Sequence, residues 1–238
     1  MELKAFACDI DKTLTNDAMM LDLYAVETIR YLEAAGLPVI LVTARDYMTA
    51  WTLSIFMGAC GVVAAENGAV VVSNLVGGQP PATLGDMARV KRGLAALQES
   101  FGDKVVVYPT PGRLASAVVQ RTFDVEEGNA ILAPVGARLL DSSLAYHLVD
   151  ANTGKGHGVE EAARQLGIEA KNVAVIGDNF NDLEMFAAGG YSIAVGNAPQ
   201  AVKDQVDYTC SARFGEGFRE GVKHALKHFA FPGLRRLP

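Results

Sequence analysis

The sequence predicts an α/β protein, a parallel sheet flanked by helices, with a small α+β unit inserted part-way along the chain. Three observations carry that prediction. Apolar strand-like runs alternate with amphipathic helical segments over the first third of the 238 residues. The alternation gives way to a helix, strand, strand, helix, strand, strand pattern between about residues 81 and 151. It then resumes and continues into the C-terminal region. Strand-helix-strand order implies parallel strands with crossover helices, whereas the middle pattern implies a small antiparallel sheet with helices on one face.

The elements follow in order. "LKAFACDI" reads as a strand, "DLYAVETIRYLEAAG" as an amphipathic helix closed by Gly36, and "LPVILVTA" as a second strand. "DYMTAWTLSIFMGA" reads as a helix, and "GVVAAENGAVVV" as two short strands around an Asn67-Gly68 turn. The Gly- and Pro-rich stretch "SNLVGGQPPATLGD" marks a boundary. Beyond it come the helix "GDMARVKRGLAALQESFG", the strands "KVVVYP" and "RLASAVVQRTF", a helix near "DVEEGNAILAP", and the strands "ARLLDS" and "LAYHLVDA". The resumed alternation runs through the helix "KGHGVEEAARQLG", the strand "NVAVIGD", the helix "NDLEMFAAGG", the strand "YSIAVG" and the short helix "APQAVKDQV". A last helix, "EGFREGVKHALKHFAF", ends before Pro232. The expected division is therefore a core from 1–80 and 152–238, interrupted by an inserted domain over 81–151.

Half of the residues are hydrophobic, enough for a substantial core, and the formal charge of −6 argues against nucleic acid as a main partner. A small anionic substrate stays open, because a local cation cluster or a metal decides that. Cys8, Cys60 and Cys210 lack metal-ligand or redox spacing and read as small buried hydrophobes in a reducing compartment. No signal-like or membrane-length apolar segment stands out, so a cytoplasmic protein, monomeric or homodimeric, is the expectation.

Ligands of an open parallel sheet bind beyond the carboxyl ends of its strands, and those ends are where the unusual residues fall. The first strand runs into Asp9-Ile10-Asp11, the second into Thr43-Ala44-Arg45, and "NVAVIGD" into Asp178 with Asn181 and Asp182 just beyond. Lys155 opens the helix before that last strand. A single Asp at a strand end is ordinarily a turn-former or helix cap. Two in alternation repel each other unless a cation or proton lies between them, and period-two alternation would aim both carboxylates at one edge. Asp182 or Asn181 alone would be a cap, Thr43 an ordinary strand end, and Lys155 an exposed lysine. Their convergence on one rim points to phosphoryl transfer instead. Asp9, Asp11 and Asp178 supply hard oxygen ligands suited to Mg²⁺, one carboxylate can attack phosphorus while another manages protons, and Thr43, the N–H groups that follow it and Lys155 can hold phosphoryl oxygens.

"DIDKT" from Asp9 to Thr13, Thr43 at the end of "VILVT", Lys155 in "TGKGHG" and "GDNFND" from Gly177 to Asp182 resemble the four motifs of the haloacid dehalogenase superfamily of phosphohydrolases. The resemblance spans the whole chain. The insertion and "ENGA" at Glu66 to Ala69 are similar to the Cof-like branch, and the compact insertion is similar to the cap of archaeal-type phosphoglycolate phosphatases. The resemblance implies a Rossmann-like core with a cap, Asp9 as nucleophile and Asp11 as general acid/base. It also implies Mg²⁺ on Asp9, the Asp11 carbonyl, Asp178 and Asp182, the last directly or through water. Thr43 and Lys155 would bind the phosphoryl group, with Ala44, Arg45 and Asn181 also in the phosphate- or substrate-binding set, and Asn181 would orient the fourth motif. Lys12 stands where the first motif commonly has Gly, a departure that puts the shape of that loop and substrate preference in question.

The expected reaction is thus Mg²⁺-dependent hydrolysis of a small phosphorylated metabolite, 2-phosphoglycolate foremost. A sugar-phosphate phosphatase, a phosphomutase with an organised cationic cap, and a receiver-like phospho-Asp switch are the alternatives. Among the cap cations Lys91, Arg92, Arg113, Arg121 and Arg138, sequence does not say which faces inward. Arg45 could meet a substrate carboxylate or form a helix-start salt bridge. Met19 and Met20 could face the cap or pack in the core. The four histidines look scattered; His224 and His228 share a helical face, but Lys223 and Lys227 beside them disfavour a metal.

Overall fold

A computed structural model describes residues 2–73 and 77–231. In chain order the elements are β1 (Ala5–Cys8), α1 (Leu23–Ala34), β2 (Val39–Val42), α2 (Tyr47–Met57), β3 (Val63–Ala65), β4 (Val70–Val72) and β5 (Ala82–Thr83). Then come α3 (Met87–Phe101), β6 (Ser116–Val119), α4 (Val125–Leu132), β7 (Ala137–Asp141) and β8 (Tyr146–Asp150). The chain continues through α5 (Lys155–Gln165), β9 (Val173–Gly177), α6 (Leu183–Ala188), β10 (Tyr191–Ala194), α7 (Gln200–Lys203), β11 (Tyr208–Thr209) and α8 (Phe214–His228).

Among the described residues the strands make two sheets. The larger has the order β11-β10-β9-β1-β2-β3-β4-β5, parallel from β11 to β3 and antiparallel at β4 and β5. Its central strands are buried on both faces, as parallel strands covered by helices must be. Period-two alternation sorts their side chains into two layers. Phe6, Cys8, Val39, Leu41 and Ile176 pack under α1, α2 and α8, while Ala5, Ala7, Ile40, Val42 and Val175 pack under α5 and α6. The chain leaves β1 toward β2 on one side and returns as β9 on the other, so the crossover direction reverses between β1 and β9. That reversal opens a crevice at the carboxyl ends of these two strands.

The smaller sheet has the order β6-β8-β7 and is antiparallel throughout. Leu139, Tyr146 and Leu148 on one face pack against Val90 and Leu97 of α3 and Leu132 of α4. The strand expected over "KVVVYP" is reduced to a bridge between Val107 and Val119 and two backbone bonds, Tyr108 N–H to Val118 O and Gln120 N–H to Val106 O. Val106, Val107 and Tyr108 stay largely exposed and Pro109 and Pro111 follow, so neither burial nor continued pairing extends it. The two-residue strands β5 and β11 were not expected from the sequence; both are edges held by backbone pairing. Part of the Gly- and Pro-rich boundary, residues 74–76, lies outside the described residues, as does Pro232 after the last helix. No described helix is long and apolar enough to cross a membrane.

Candidate active site

Asp9 and Asp178 follow β1 and β9, neighbouring strands in register at Cys8 and Ile176, and so meet at the crevice. Asp182 joins them from the turn after β9. One ligand atom from each of the three lies within 4.8 Å of the others, and all three residues are buried. Lys155, at the first turn of α5 and 1 % exposed, reaches between them: its Nζ donates to Asp9 Oδ1 and to Asp182 Oδ1, both at 2.6 Å. The alternative of an exposed helix-start lysine is thereby excluded, and Lys155 lies with the aspartates at the rim as their convergence predicts. Burial alone would pull the Lys155 ammonium down, but Asp182 and Asp9 outweigh it and hold it above the ordinary range. Burial pushes Asp9 well up, with Lys155 opposing and Asp182, Asp178 and Asp11 adding. Asp178 is pushed up to about 7 by burial and then by Asp182.

The turn that carries Asp182 explains its place. Asp182 Oδ2 accepts from the backbone N–H groups of Asp178 and Asn179 at 2.9 and 3.0 Å, and the Asn179 side chain accepts from Phe180 N–H. Gly177 is required here, because a Cβ on it would sit 2.5 Å from the Asp182 carboxylate. The orienting role expected of Asn181 is thus carried by Asp182 and Asn179; Asn181 lines the cavity above. Asn197, which sequence reasoning missed, donates to Lys12 O at 2.9 Å and approaches Asp178 Oδ2 at 3.4 Å.

Asp11 departs from the alternation expected of it. β1 ends at Cys8 and Asp11 begins a turn, so its carboxylate is placed by that turn and not by a strand. It lies half-buried against Arg45, whose Nε and Nη2 donate to it at 2.7–3.2 Å. Arg45 therefore pairs with Asp11 rather than with the helix start, where Asp46 caps Thr49 N–H. Lys12 keeps the loop by taking a left-handed φ of 64°, at a cost of roughly 1–2 kcal/mol for a residue with a Cβ. Thr43 is fully buried beneath the loop, its Oγ1 accepting from Arg45 N–H at 3.2 Å, while Ala44 and Arg45 reach the cavity.

That cavity, about 220 Å³, is floored by Asp9, Asp11 and Asp178 and walled by Lys12, Met19, Arg45, Asn179 and Asn181. The cap closes it with Arg113, Ser142, Leu144, Ala145 and His147. Of the expected cap cations, Arg113 faces inward. Arg138 pairs with Glu184 of α6, Arg121 pairs with Asp141, and Lys91 and Arg92 are exposed on α3. His147 looks scattered in the sequence, yet β8 is buried throughout and its alternation sends Tyr146 and Leu148 to the cap core and His147 to the opposite face. His224 and His228 stack around Tyr191, with His224 Nε2 2.9 Å from its hydroxyl, far from any metal role.

The His147 imidazole is pushed down to about 3 by burial and then by the charges of Arg113 and Lys155. An unfolded His titrates near 6.5, so between about 3 and 6.5 the unfolded chain binds more protons. The stability of the fold is therefore whole above pH 6.5 and falls on acidification. His147→Gln is expected to remove up to about 2–3 kcal/mol of the loss seen between pH 7 and 4.5. Urea unfolding at the two pH values checks this; an equal loss in both proteins would contradict it.

The donors suit a hard divalent cation: three buried carboxylates whose oxygens crowd together with one ammonium among them. Burial first and then mutual repulsion push Asp9 and Asp178 up, and a bound cation would relieve the repulsion. Mg²⁺ at 100 times its dissociation constant is expected to raise Tm by roughly 5–10 °C. The rise should be larger at pH 8 than at pH 5.5, where Asp178 still holds a proton that a cation must displace. Thermal scans with Mg²⁺ and with chelator measure it, and a rise that is equal at both pH values would count against these ligands.

The profile of the haloacid dehalogenase-like hydrolases matches residues 6–81 and 139–218, the two stretches that hold Asp9, Asp11, Thr43, Lys155, Asp178 and Asp182 and between which Arg113 lies. The chain belongs to that family. A phosphoglycolate phosphatase of Methanothermobacter thermautotrophicus is 34 % identical over 94 % of this chain and 99 % of its own length. One of Archaeoglobus fulgidus is 34 % identical over 92 % of this chain and 96 % of its own. A crystal structure of a Thermoplasma acidophilum protein superposes with a TM-score of 0.83, covering 97 % of this chain and 99 % of that one at 24 % identity, which establishes the shared fold. As a member of this family, the haloacid dehalogenase-like protein is a hydrolase, and its relatives make it a phosphatase.

Proposed function

We propose that the protein hydrolyses a small phosphorylated metabolite, 2-phosphoglycolate before others, through a phosphorylated Asp9. The observation that carries this reading is the Asp9 carboxylate on the cavity floor with Lys155 on its Oδ1. That contact leaves Oδ2 as the oxygen that attacks. The names of the curated relatives support the choice of substrate.

Oδ2 of Asp9 bonds to phosphorus as the ester P–O bond breaks, and the departing oxygen takes a proton from Asp11. Water then attacks the same phosphorus, returns its proton to Asp11 and releases phosphate with Asp9 restored. For Asp11 to carry a proton, one of its oxygens must leave Arg45, and an incoming anion that draws the guanidinium away accomplishes this. Lys155, the loop after Thr43 and the Ala44 N–H would hold phosphoryl oxygens as charge builds on them. Asp9, Asp178, Asp182 and the Asp11 carbonyl would hold Mg²⁺, which when bound supplies charge neutralisation to the phosphoryl group.

The net charge of −6 and the small cavity, about 220 Å³, favour a small metabolite over nucleic acid. A phosphomutase needs several cap cations to hold a second phosphate, and here Arg113 is the cap cation at the cavity. Phosphate release from 2-phosphoglycolate, sugar phosphates and an aryl phosphate, with Mg²⁺ and with chelator, tests the reading. Preference for 2-phosphoglycolate that vanishes in chelator is the expected result; absence of release from all of them, or a phospho-Asp9 lasting hours, would overturn it.

A further inference from the structure

The two walls of the cavity differ in kind. On the core side the arginine and the buried lysine are both held by carboxylates: Arg45 by Asp11, and Lys155 by Asp9 and Asp182, while Lys12 stands half-buried at the rim of the cavity. On the cap side Arg113 has no such partner. Arg45, Arg89, Arg121 and Arg138 are each paired with a carboxylate, whereas Arg113 is absent from the ion pairs of the described residues. Its Nη1 donates to Ser116 Oγ at 2.9 Å and its Nη2 to Ala44 O at 3.0 Å, while its Nε is buried with no partner. A guanidinium has five N–H donors, so these two neutral contacts leave it under-satisfied. Burial lowers its proton affinity, with Glu66 and Asp46 acting the other way from a distance. Holding an unpaired cation in such a place is costly unless something negative arrives.

The position of Arg113 is fixed from both domains. Ser116 Oγ, which accepts from Arg113, itself donates to Glu66 Oε2 at 2.6 Å, and Glu66 also accepts from Leu114 N–H and Ala115 N–H at 2.9 and 3.1 Å. Glu66 is fully buried at the end of β3 in the core, so the segment bearing Arg113 is tied to the large sheet by three bonds. Arg113 is thereby a preorganised group rather than a mobile surface arginine.

The rest of the cap wall argues against a polyhydroxylated ligand. Leu144 and Ala145 are apolar, and the Ser142 hydroxyl is committed to Ala145 O at 3.0 Å. With that proton spent, Ser142 Oγ faces His147 Nε2 at 3.2 Å as an acceptor, so His147 carries its proton on Nε2. The His147 Nδ1 is left buried without a partner. A sugar would bring many donors and acceptors to a wall with few places for them. A single small anion would meet the cap-side cation, which has no counter-charge among the described residues.

We infer that Arg113, with His147 on the same wall, is the subsite for the non-phosphoryl end of the substrate, and that this end bears a carboxylate. The inference rests on the phosphatase reading above and adds the residue that reads the carboxylate end of the substrate. Arg113 suits this task better than Arg45, because Arg45 starts from the core side in a pair with Asp11 whereas Arg113 stands on the cap wall with no carboxylate to give up.

The test compares 2-phosphoglycolate with its neutral amide, 2-phosphoglycolamide, as kcat/KM in the wild type, Arg113→Met and Arg113→Lys. The wild type is expected to prefer the carboxylate by about 100-fold. Arg113→Met should bring the ratio close to one, and Arg113→Lys should restore part of it. Because a ratio is read, a general loss of activity cancels. A wild-type ratio near one overturns the inference without any variant, and so does an Arg113→Met or Arg113→Lys enzyme that loses rate equally on both esters. Failure of the phosphatase reading looks different: the wild type would then release no phosphate from an aryl phosphate either, or Asp9→Asn would go on releasing it.

Discussion

Asp9→Asn is expected to lose turnover by roughly 10⁴-fold or more and, without divalent cation at pH 7–8, to melt at or above the wild-type temperature. The two effects have one cause. Asp9 is needed as an anion in a place that disfavours anions, since burial, Asp182 and Asp178 all push its proton affinity up and Lys155 alone relieves it. The sign follows directly. A carboxyl whose affinity is raised in the fold binds more protons folded than unfolded, so its ionisation penalises the fold above the ordinary carboxylate range. An amide has the same shape and no charge to bury. It also leaves Lys155 paired, because Asp182 still accepts from Nζ. The variant therefore keeps its fold while losing its nucleophile, which is the stability–activity trade expected of a strained site. Parallel measurement of phosphate release and of Tm decides it. Retained turnover would mean that phosphorus is attacked by another group, and a large fall in Tm would mean that Asp9 stabilises the fold in its charged form.

Which parts of this site the sequence disclosed depends on how far each residue lies from its structural cause. Asp9 and Asp178 end apolar runs, and the rule for strand ends of parallel sheets needs nothing more. Lys155 was legible as a position but not as a buried group; only the packing of α5 beside β3 and the turn after it shows that its ammonium is enclosed by Asp9 and Asp182. Asp11 misled the alternation argument because β1 stops one residue before Asp9, and a turn then sets the direction of every side chain. The cap contributed what sequence could not locate. Arg113 lies in no strand or helix and is placed by Ser116 and Ala44, contacts made across 3 and 69 residues. His147 could have been found, since a polar residue alternating with Tyr146 and Leu148 in a buried strand must face something other than the cap core. The short strands β5 and β11 carry too few residues for any periodicity, and "KVVVYP" carries a strand composition without the burial that makes one.

The same cluster predicts the opposite result for its cation. Lys155→Met keeps the aliphatic stem and removes the ammonium, leaving Asp9, Asp178 and Asp182 together with no counter-charge. Removal of one partner from a buried ion pair costs roughly 3–5 kcal/mol. Here two carboxylates are orphaned at once, so a strong fall in Tm is expected in chelator, together with loss of phosphatase activity because the group on Asp9 Oδ1 is gone. Mg²⁺ should recover much of the stability and little of the activity, since a divalent ion can neutralise the carboxylates but does not replace a donor at the Lys155 position. Adding Asp9→Asn should rescue stability further, because it deletes one of the charges that Lys155→Met exposes. The double variant must then be more stable than Lys155→Met alone, a non-additivity that separate, non-interacting sites do not show. Chemical unfolding of the two single variants and the double variant in chelator closes the cycle. If the two changes simply added, Asp9 and Lys155 would not be the coupled pair that their 2.6 Å contact describes.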